Sequence, residues 1–498
     1  MMAERIYLMK GIRILSLGLI LVLGLTLSAC GGGKQVELKD LPSGYTYKNG
    51  NQITNIGDPY LFTYDGKYYC TATETGTSYP LYVSEDLSSW EKVTNIFYSS
   101  GTEGWVRGSL WQPQIVVGND GRFYLYYCGL NDNSSLRIGV AAADTVTGPY
   151  VDVHDAPLFD LGYANIDPNL YIDDDGCMYL YYSRDCSENV VDGHHVSQIY
   201  VVEMADYTHV KEGAEHILCI TPEQQWELLN NADYQWNEGP DMLKHNGTYY
   251  LFYSGGFYGD KSYSLGYATS DSPTGPFVKY EGNPIMSSTE IVSGPGNNSF
   301  FHTLDGKELF NCYHSHTVAA IAGGNRKVNI DRCGWREDGT FYMNGPTSTA
   351  QPAPSGESGL RPVTGNFTVT ASSTAKGRPE AILDGEFSAT TSGYKQEWCA
   401  ADGEKAKITI DFGGEQAVNC LFLYRGYEDT ATPAALKITF SDGSVISNVS
   451  FSGDSAEATI LYFDTVMTSS LTIEVTDMGS AKRFALAEVG IYSINDAQ

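Results

Sequence analysis

Residues 166–183 read IDPNLYIDDDGCMYLYYS, and this stretch combines two local signals. Asp175-Gly176 is typical of a two-residue type I′ turn, because both central positions of that turn require a positive φ. The Tyr, Leu and Met residues on either side favour extended strands. The stretch therefore predicts a β-hairpin whose first strand carries Pro168 near its beginning.

The same pattern occurs four more times along the chain. Each copy has an Asp-Gly or Asn-Gly turn followed by strand-forming, mostly aromatic residues, and the turn glycines are Gly66, Gly121, Gly247 and Gly306. A spacing of roughly 55 to 70 residues accommodates four strands with their loops, which is one blade of a propeller. No apolar period of 3.6 residues interrupts the region, which disfavours folds with alternating helices. The sequence predicts an all-β fold with a five-bladed β-propeller over residues 50–350.

The chain continues after the fifth copy. Residues 351–362 read QPAPSGESGLRP, a composition typical of a linker. Residues 363–498 contain short strand-like runs between Gly and Asp turns, which predict a β-sandwich of the jelly-roll type. Residues 30–49, ahead of the propeller, are predicted to form an N-terminal tether.

Composition limits the partners of this chain. Its 498 residues include 31 Lys and Arg against 60 Asp and Glu, which gives a formal net charge of −29. Such an acidic surface repels nucleic acid and anionic lipid. The charge is compatible with a neutral substrate, and no nucleic-acid partner is expected.

The N-terminal segment has the pattern of an export signal. Lys10 and Arg13 precede an apolar stretch from residue 14 to 27, which is too short and wrongly flanked to span a membrane in the mature protein. An ordinary signal peptide cut near Ala29 is one interpretation. The run from Leu27 to Cys30, followed by three glycines, instead resembles the lipobox of bacterial lipoproteins, in which Cys30 would become a lipidated N-terminus. The prediction is a signal over residues 1–29 and an exported protein, on the cell surface or periplasmic face, whose contact with the membrane is through the lipid only.

The cysteines do not indicate a metal site. Ten are present and no two have the Cys-x-x-Cys spacing of zinc ligands. Cys177 with Cys186, or Cys399 with Cys420, could pair in an oxidising compartment. Burial as small apolar side chains explains them equally well.

Carboxylic acids stand beside three of the repeated prolines. The innermost strand of each blade faces the central channel, so residues near its start converge on one pocket. Asp58, Asp167 and Glu238 occupy this place in the first, third and fourth copies, whereas the second has Trp111 and Gln112. Inverting hydrolysis of a glycosidic bond needs one carboxylate to activate water and one carboxylic acid to protonate the leaving oxygen. A third acid can keep the second protonated by charge repulsion. Taken singly, each Asp-Pro could merely start a strand, but three acids in register predict catalysis.

Three stretches carry a resemblance to glycoside hydrolase family 43: NIGDPYLF at 55–62, residues 166–176, and NEGPDML at 237–243. The likeness covers roughly residues 50–355. It implies a five-bladed propeller enzyme that acts on arabinose- and xylose-containing polysaccharides. By the same resemblance Asp58 is the general base, Glu238 the general acid, and Asp167 the group that tunes the pKa of the acid and orients it. The implied reaction is inverting hydrolysis of α-L-arabinofuranosyl or β-D-xylosyl linkages in neutral plant polysaccharides or oligosaccharides.

The resemblance also suggests residues that bind substrate. The family has a histidine that helps to hold a central metal or water where this chain has Asn297, so a central calcium ion is disfavoured and no cofactor is expected. His314 either lines the channel or is a hydrogen-bonded strand histidine. Arg326 matches an arginine that reaches the sugar, with a surface ion pair as the alternative. Trp111 is predicted to stack on a sugar, unless it is buried in the blade core.

Two further motifs are weaker candidates for the site. Asp185, in the run from Ser183 to Cys186, is similar to the Arg-Asp-Pro motif of five-bladed fructan enzymes, but the proline is missing and the run is predicted to lie mid-blade. It is therefore left out of the predicted site. His194 and His195 are weak as a metal pair, because adjacent strand residues point to opposite faces.

The C-terminal part resembles the discoidin-like, galactose-binding-like sandwich of family 32 carbohydrate-binding modules. The match is carried by framework residues, among them AILDG at 381–385 and Trp398, which is predicted to be a core residue. Tyr394, Tyr424 and Tyr427 are candidate sugar contacts. If the propeller were not catalytic, the alternative function would be a surface protein that only binds glycan.

Overall fold

The computed structural model describes residues 33–494, except residues 51–52, 102, 322, 324, 357–358, 388–396, 402, 404, 427–431 and 454–455. The predicted signal and Cys30 lie outside the described residues. The described chain is almost entirely β-structure, with two short 3-10 helices at Cys186–Glu188 and Pro379–Leu383. Within these ranges no helix has the length and apolar character that crossing a membrane requires.

Five antiparallel blades follow one another between residues 57 and 343, which confirms the predicted five-bladed propeller. Blades 3 and 4 are joined by a parallel pairing of residues 195–197 with residues 234–236. The strands of blades 1 to 5 are, in order, Gly57–Tyr64, Lys67–Thr73, Ser78–Ser84 and Glu91–Tyr98; Trp111–Val117, Phe123–Leu130, Leu136–Ala143 and Val151–Asp152; Asn165–Ile172, Met178–Arg184, His194–Asp206 and Ile217–Ile220, with the short Val190–Val191 and His209–Val210; Tyr234–His245, Thr248–Gly255, Ser264–Ser270 and Val278–Lys279; and Gly296–His302, Leu309–His316, Arg326–Trp335 and Phe341–Met343.

The hairpin turns that connect the first two strands of each blade are of two kinds. Asp65-Gly66 and Asn246-Gly247 have positive φ at both residues, as a type I′ turn requires. At Asp175-Gly176 only the glycine is in the left-handed region, and the Gly176 amide donates to the Asp173 carbonyl at 2.9 Å. The type I′ prediction for this turn is wrong, because the loop is longer and the glycine instead ends an ordinary turn.

The innermost strand of every blade is interrupted at the same point. The register shifts fall between residues 57 and 60, 111 and 114, 166 and 169, 238 and 241, and 296 and 299. One residue in each interruption has a φ of 37° to 59°, namely Asp58, Gln112, Asp167, Gly239 and Asn297. A bulge of this kind bends the strand and re-aims a side chain. Asp and Asn tolerate the left-handed region better than most residues, so the repeated backbone geometry and the residue types agree.

The ring is closed by residues that precede the first blade. Thr54 forms a bridge with Lys327 of blade 5, and the Ile56 amide donates to the Arg326 carbonyl at 3.2 Å. The Val328 amide donates to the Ile53 carbonyl at 3.0 Å. This closure brings the start of blade 1 next to the third strand of blade 5.

A β-sandwich follows the propeller, as predicted. Its core contains Trp398, which is completely buried, together with Leu421, Phe463, Leu471 and Leu486. Two long strands pair with each other along most of their length and with other strands at either end. The strands are Leu360–Pro362, Thr368–Ala371, Trp398–Cys399, Lys407–Arg425, Ala435–Phe440, Val445–Val449, Thr459–Asp477 and Ala485–Ile494.

The segments predicted as a tether and a linker are built into the sheets. Leu38–Lys39 pairs with residues 462–463 of the sandwich, and the Val445 amide donates to the Lys34 carbonyl at 2.9 Å. Thr46–Tyr47 pairs with Gln351–Pro352, and Leu360–Pro362 pairs with residues 492–494. The composition rich in Pro, Gly and Ser therefore did not keep this segment out of the sheets, because the backbone of residues 351–353 and 360–362 is hydrogen-bonded to the preceding tether and to the sandwich.

Two other predictions concern cysteine and tyrosine residues. All nine described cysteines are free thiols, so the pairings of Cys177 with Cys186 and of Cys399 with Cys420 are absent. Tyr424 is buried, and its hydroxyl donates to the Gln351 side chain at 2.7 Å, so it is not available for sugar contact. Tyr394 and Tyr427 lie outside the described residues.

Candidate active site

The three acids line one open pocket at the axis of the propeller, with a volume of about 650 Å³. This volume is within the usual range for small-ligand sites. Asp58 and Asp167 are themselves the bulged residues of blades 1 and 3, whereas in blade 4 the bulged residue is Gly239. Gly239 has a φ of 59°, and a Cβ atom there would lie 2.9 Å from Asn297 Oδ1, so both the backbone conformation and the limited space favour glycine. The acid of blade 4 consequently stands one position earlier, as Glu238.

Asp58 lies beside a cation from blade 5. Arg326 Nη1 donates to Asp58 Oδ1 at 2.7 Å, and both side chains are largely buried. Burial raises the pKa of Asp58, but the Arg326 guanidinium, together with His314 and hydrogen bonds from Thr73 and Asn297, outweighs burial and holds the pKa below its ordinary value. Asp58 is therefore ionised at neutral pH and can accept a proton.

His314 lies behind Asp58 and does not line the pocket. Its Nδ1 accepts a hydrogen bond from the Asp58 backbone amide at 3.1 Å, and its ring stacks on Tyr263 at 5.5 Å between centroids. Burial, followed by the charge of Arg326, lowers the pKa of His314 well below its ordinary value. His314 is thus a neutral, hydrogen-bonded strand histidine that positions Asp58, and the channel-lining alternative is wrong.

Glu238 has surroundings of the opposite kind. No cation contacts it among the described residues, and the Tyr263 hydroxyl donates to Glu238 Oε1 at 2.9 Å. Burial, followed by the negative charge of Asp167, raises the pKa of Glu238 well above its ordinary value. Glu238 therefore carries a proton at neutral pH and can act as an acid.

Asp167 connects the two other acids. Its Oδ2 accepts a hydrogen bond from the Gly239 amide at 3.0 Å and a longer one from the Ser183 hydroxyl at 3.4 Å. Burial, followed by the charge of Asp58, raises the pKa of Asp167 above its ordinary value. Because Gly239 directly follows Glu238, this contact fixes the backbone that carries the acid.

The wall of the pocket is rich in aromatic side chains. Trp111 is 38% exposed and lines the pocket, as predicted, rather than packing inside a blade. Tyr234, Trp236, Phe257 and Tyr258 also line it and were not predicted. They lie on an extension of the first strand of blade 4 and in the loop after its second strand. The repeated turn and proline motifs do not include these positions.

Asp185, which was not predicted as a site residue, is a fourth carboxylate of the pocket wall. Its backbone amide donates to the Ala164 carbonyl at 3.0 Å, and its carboxylate caps the Cys186–Glu188 helix by accepting from the Ser187 amide. The second strand of blade 3 ends at the pocket face, so the residue after it is not mid-blade.

Asn297 lies at the bottom of the pocket. Its Nδ2 donates to Gln112 Oε1 at 2.8 Å, and its backbone amide donates to the Ser254 hydroxyl. Calcium requires six to eight oxygen ligands, several of them carboxylates. The oxygens here belong to amides and to Asp58, which is already paired with Arg326, so the donor set does not fit a calcium ion. No group of three or more His, Cys, Asp or Glu residues in the described ranges could hold a metal.

Comparisons with known proteins agree with this geometry. Residues 50–341 match the model of glycosyl hydrolases family 43, and residues 363–492 match a domain of unknown function, DUF7402. A β-D-galactofuranosidase of Aspergillus niger is 29% identical over 298 residues, covering 57% of this chain and 80% of that protein. A xylosidase/arabinosidase of Bacteroides ovatus is 26% identical over 285 residues, covering 50% of this chain and 85% of that protein. The crystal structure of a thermostable family-43 glycoside hydrolase matches with a TM-score of 0.59 and 42% sequence identity, covering 62% of this chain and 99% of that chain. The chain therefore belongs to glycosyl hydrolase family 43 and is a glycoside hydrolase.

Proposed function

We propose that the propeller hydrolyses α-L-arabinofuranosyl or β-D-xylosyl linkages of plant cell-wall polysaccharides with inversion of configuration. The observation that carries the proposal is the opposite protonation of two acids in one pocket. The pKa of Asp58 is held low beside Arg326, and the pKa of Glu238 is raised by burial and by Asp167. A base and an acid are thereby available together at neutral pH.

In this mechanism Asp58 takes a proton from a water molecule as the water oxygen forms a bond to the anomeric carbon. Glu238 gives its proton to the glycosidic oxygen as the bond from that oxygen to the anomeric carbon breaks. Asp167, through the Gly239 amide, holds the backbone of the acid in place. The enzyme ends with the proton on Asp58 and none on Glu238, and solvent exchange restores the starting state.

The choice of sugar rests on the relatives and on charge. The Bacteroides ovatus relative is named a xylosidase/arabinosidase, and an acidic chain with a net charge of −29 favours a neutral glycan. The Aspergillus niger relative is named a galactofuranosidase. Galactofuranosides are therefore the second candidate, since galactofuranose and arabinofuranose share the five-membered ring.

A substrate panel tests the proposal. We expect turnover of aryl α-L-arabinofuranoside or aryl β-D-xyloside, and of arabinan, arabinoxylan or xylo-oligosaccharides, with the first product anomer inverted by NMR. Preferred turnover of aryl β-D-galactofuranoside would select the second candidate. Retained configuration would contradict inversion and the role of Asp58 as the base that activates water. Retention on an arabinan or arabinoxylan affinity gel without product release over hours would instead support a protein that only binds glycan.

We also propose that the mature protein is a lipoprotein anchored through Cys30 on an exported face of the membrane. The run from Leu27 to Cys30 supports this. Cells fed a labelled fatty acid should label the wild-type protein and not the Cys30→Ser variant. A soluble, unlabelled wild-type protein that begins at or near Cys30 would support the ordinary signal peptide.

A further inference from the structure

Three aromatic side chains of the pocket wall form a row, here called the aromatic row: Phe257, Trp236 and Tyr234. The ring centroids of Trp236 and Phe257 are 5.4 Å apart, and those of Tyr234 and Trp236 are 6.0 Å apart with an angle of 20° between the planes. Phe257 is followed by Tyr258, whose ring lies 5.3 Å from the Arg326 guanidinium. The row thus begins near the reacting groups and ends at Tyr234.

The strand geometry relates this row to the acid. Tyr234, Trp236 and Glu238 alternate along the first strand of blade 4, ahead of its bulge, so their side chains project from the same face. Two residues along a strand advance about 7 Å. Trp236 is therefore one step, and Tyr234 two steps, from the carboxyl that donates the proton.

Both ends of the row are exposed, and Tyr234 is supported from behind. Tyr234 is 46% exposed and Phe257 is 37% exposed. The ring of His195 stacks on Tyr234 at 4.6 Å with an angle of 8°, and His195 is itself held by a 2.9 Å hydrogen bond to the Cys186 carbonyl. Aromatic side chains held rigidly in a pocket wall offer apolar contact area with little loss of conformational entropy on binding.

The chemistry gives the row a direction. The general acid protonates the oxygen that departs with the leaving group, so the leaving part of the substrate lies on the side of Glu238. Sugar rings carry faces of C–H groups that pack against aromatic rings, and a neutral glycan needs no charged partner there.

We propose that the aromatic row binds a leaving group of at least two sugar units, with Trp236 contacting the unit next to the cleaved bond and Tyr234 the unit beyond it. This inference rests on the proposed hydrolysis and deepens it. It makes the natural substrate an oligosaccharide or polysaccharide rather than a disaccharide or a simple glycoside.

The dependence of kcat/KM on chain length tests the role of Tyr234. For oligosaccharides of two, three and four units from the polymer that the wild type cleaves, Tyr234→Ala should leave the dimer unaffected and lower kcat/KM about tenfold on the trimer and tetramer. Trp236→Ala should lower kcat/KM on every length. Tyr234→Phe keeps the ring and should stay near wild type. Tyr98→Ala, which removes a 62% exposed tyrosine on the outer strand of blade 1, is the matched control.

If Tyr234→Ala lowered kcat/KM equally on the dimer, trimer and tetramer, or lowered it on none of them, the inference would be overturned. Thermal melting of each variant shows whether it is folded, and an unfolded Tyr234→Ala is replaced by Tyr234→Leu. If the wild-type protein cleaved no substrate in the panel, the proposed hydrolysis would be contradicted, but the binding role of the aromatic row would still need its own test. In that case the binding of arabino- and xylo-oligosaccharides to Glu238→Gln, followed by tryptophan fluorescence, decides. Adding Tyr234→Ala should weaken trimer binding about tenfold and leave dimer binding unchanged, and equal trimer affinity would exclude the row as a binding surface.

Discussion

Asp58 and Asp167 occupy the same backbone position in two different blades, yet the pKa of one carboxyl is lowered and that of the other is raised. Both are bulged residues with a positive φ, and both are buried in the same pocket. Asp58 has Arg326 at 2.7 Å, whereas Asp167 has the Gly239 amide and the charge of Asp58 as its neighbours. Burial raises the pKa in both cases, and the largest opposing contribution at Asp58 is the Arg326 cation, whereas Asp167 faces the charge of Asp58 instead.

Asp58 and Glu238 also differ in pKa because only Asp58 lies beside Arg326. Arg326 lies next to Asp58 because residues 53–56 close the ring against blade 5. Glu238 accepts a hydrogen bond from the Tyr263 hydroxyl and has no cation partner among the described residues. The repeat thus supplies several equivalent carboxyls, and the closure of the ring distinguishes one of them as the base.

The largest expected effect comes from removing either the proposed base, Asp58, or the proposed acid, Glu238. Asp58→Asn and Glu238→Gln should each lower kcat/KM by about 10²- to 10⁴-fold, and the exposed Glu85→Gln should not. The loss in Glu238→Gln should shrink for an aryl leaving group that departs without a proton, and the loss in Asp58→Asn should not. Steady-state kinetics on aryl and sugar leaving groups measures this, and equal behaviour of the two variants would contradict the assigned roles.

The next effect tests the cation beside Asp58. Arg326→Gln should raise the pKa of Asp58, so the acidic limb of the kcat/KM profile should move to higher pH, with activity at neutral pH reduced by roughly tenfold or more. Asp58 works as a base only above its pKa, which fixes the sign. The control is Arg336→Gln, whose partner is Glu386 outside the pocket. An acidic limb that stays in place would mean that Arg326 does not set the pKa of Asp58.

A smaller effect is expected from removing the Tyr263 hydroxyl that contacts Glu238. Tyr263→Phe removes a hydrogen bond that stabilises the ionised form of Glu238, so the already raised pKa of Glu238 should rise further. Glu238 works as an acid only below its pKa, and the alkaline limb should therefore move to higher pH while the rate near neutral pH changes by only a few fold. A shift of the alkaline limb to lower pH would show that Tyr263 stabilises the protonated acid instead.

The smallest effect concerns Asp167. Ser183→Ala removes a hydrogen bond of 3.4 Å to its carboxylate, and a contact that long contributes little. We expect kcat/KM within about twofold of wild type and a slight rise in the pKa of Asp167, visible in the pH profile. A loss as large as that of Glu238→Gln would show that the hydroxyl, and not the Gly239 amide, positions Asp167.

Much of the fold could be predicted because its signals are local. The turn glycines and the prolines beside Asp58, Asp167 and Glu238 repeat at a spacing that a single blade explains. The contact of Arg326 with Asp58 joins residues 268 positions apart, and only the family resemblance suggested that Arg326 belongs to the site. Tyr234, Trp236 and Asp185 lie where strands extend beyond or end outside the repeat, so no periodic pattern marked them.

The pairing of Leu38–Lys39 with the sandwich bears on how the molecule would stand on a cell. The backbone of residues 34–36 is hydrogen-bonded to Val445, only a few residues after Cys30. If Cys30 carries the proposed lipid, the attachment point lies within a few residues of the C-terminal domain, so that domain would be held closer to the bilayer than a free tether would hold it.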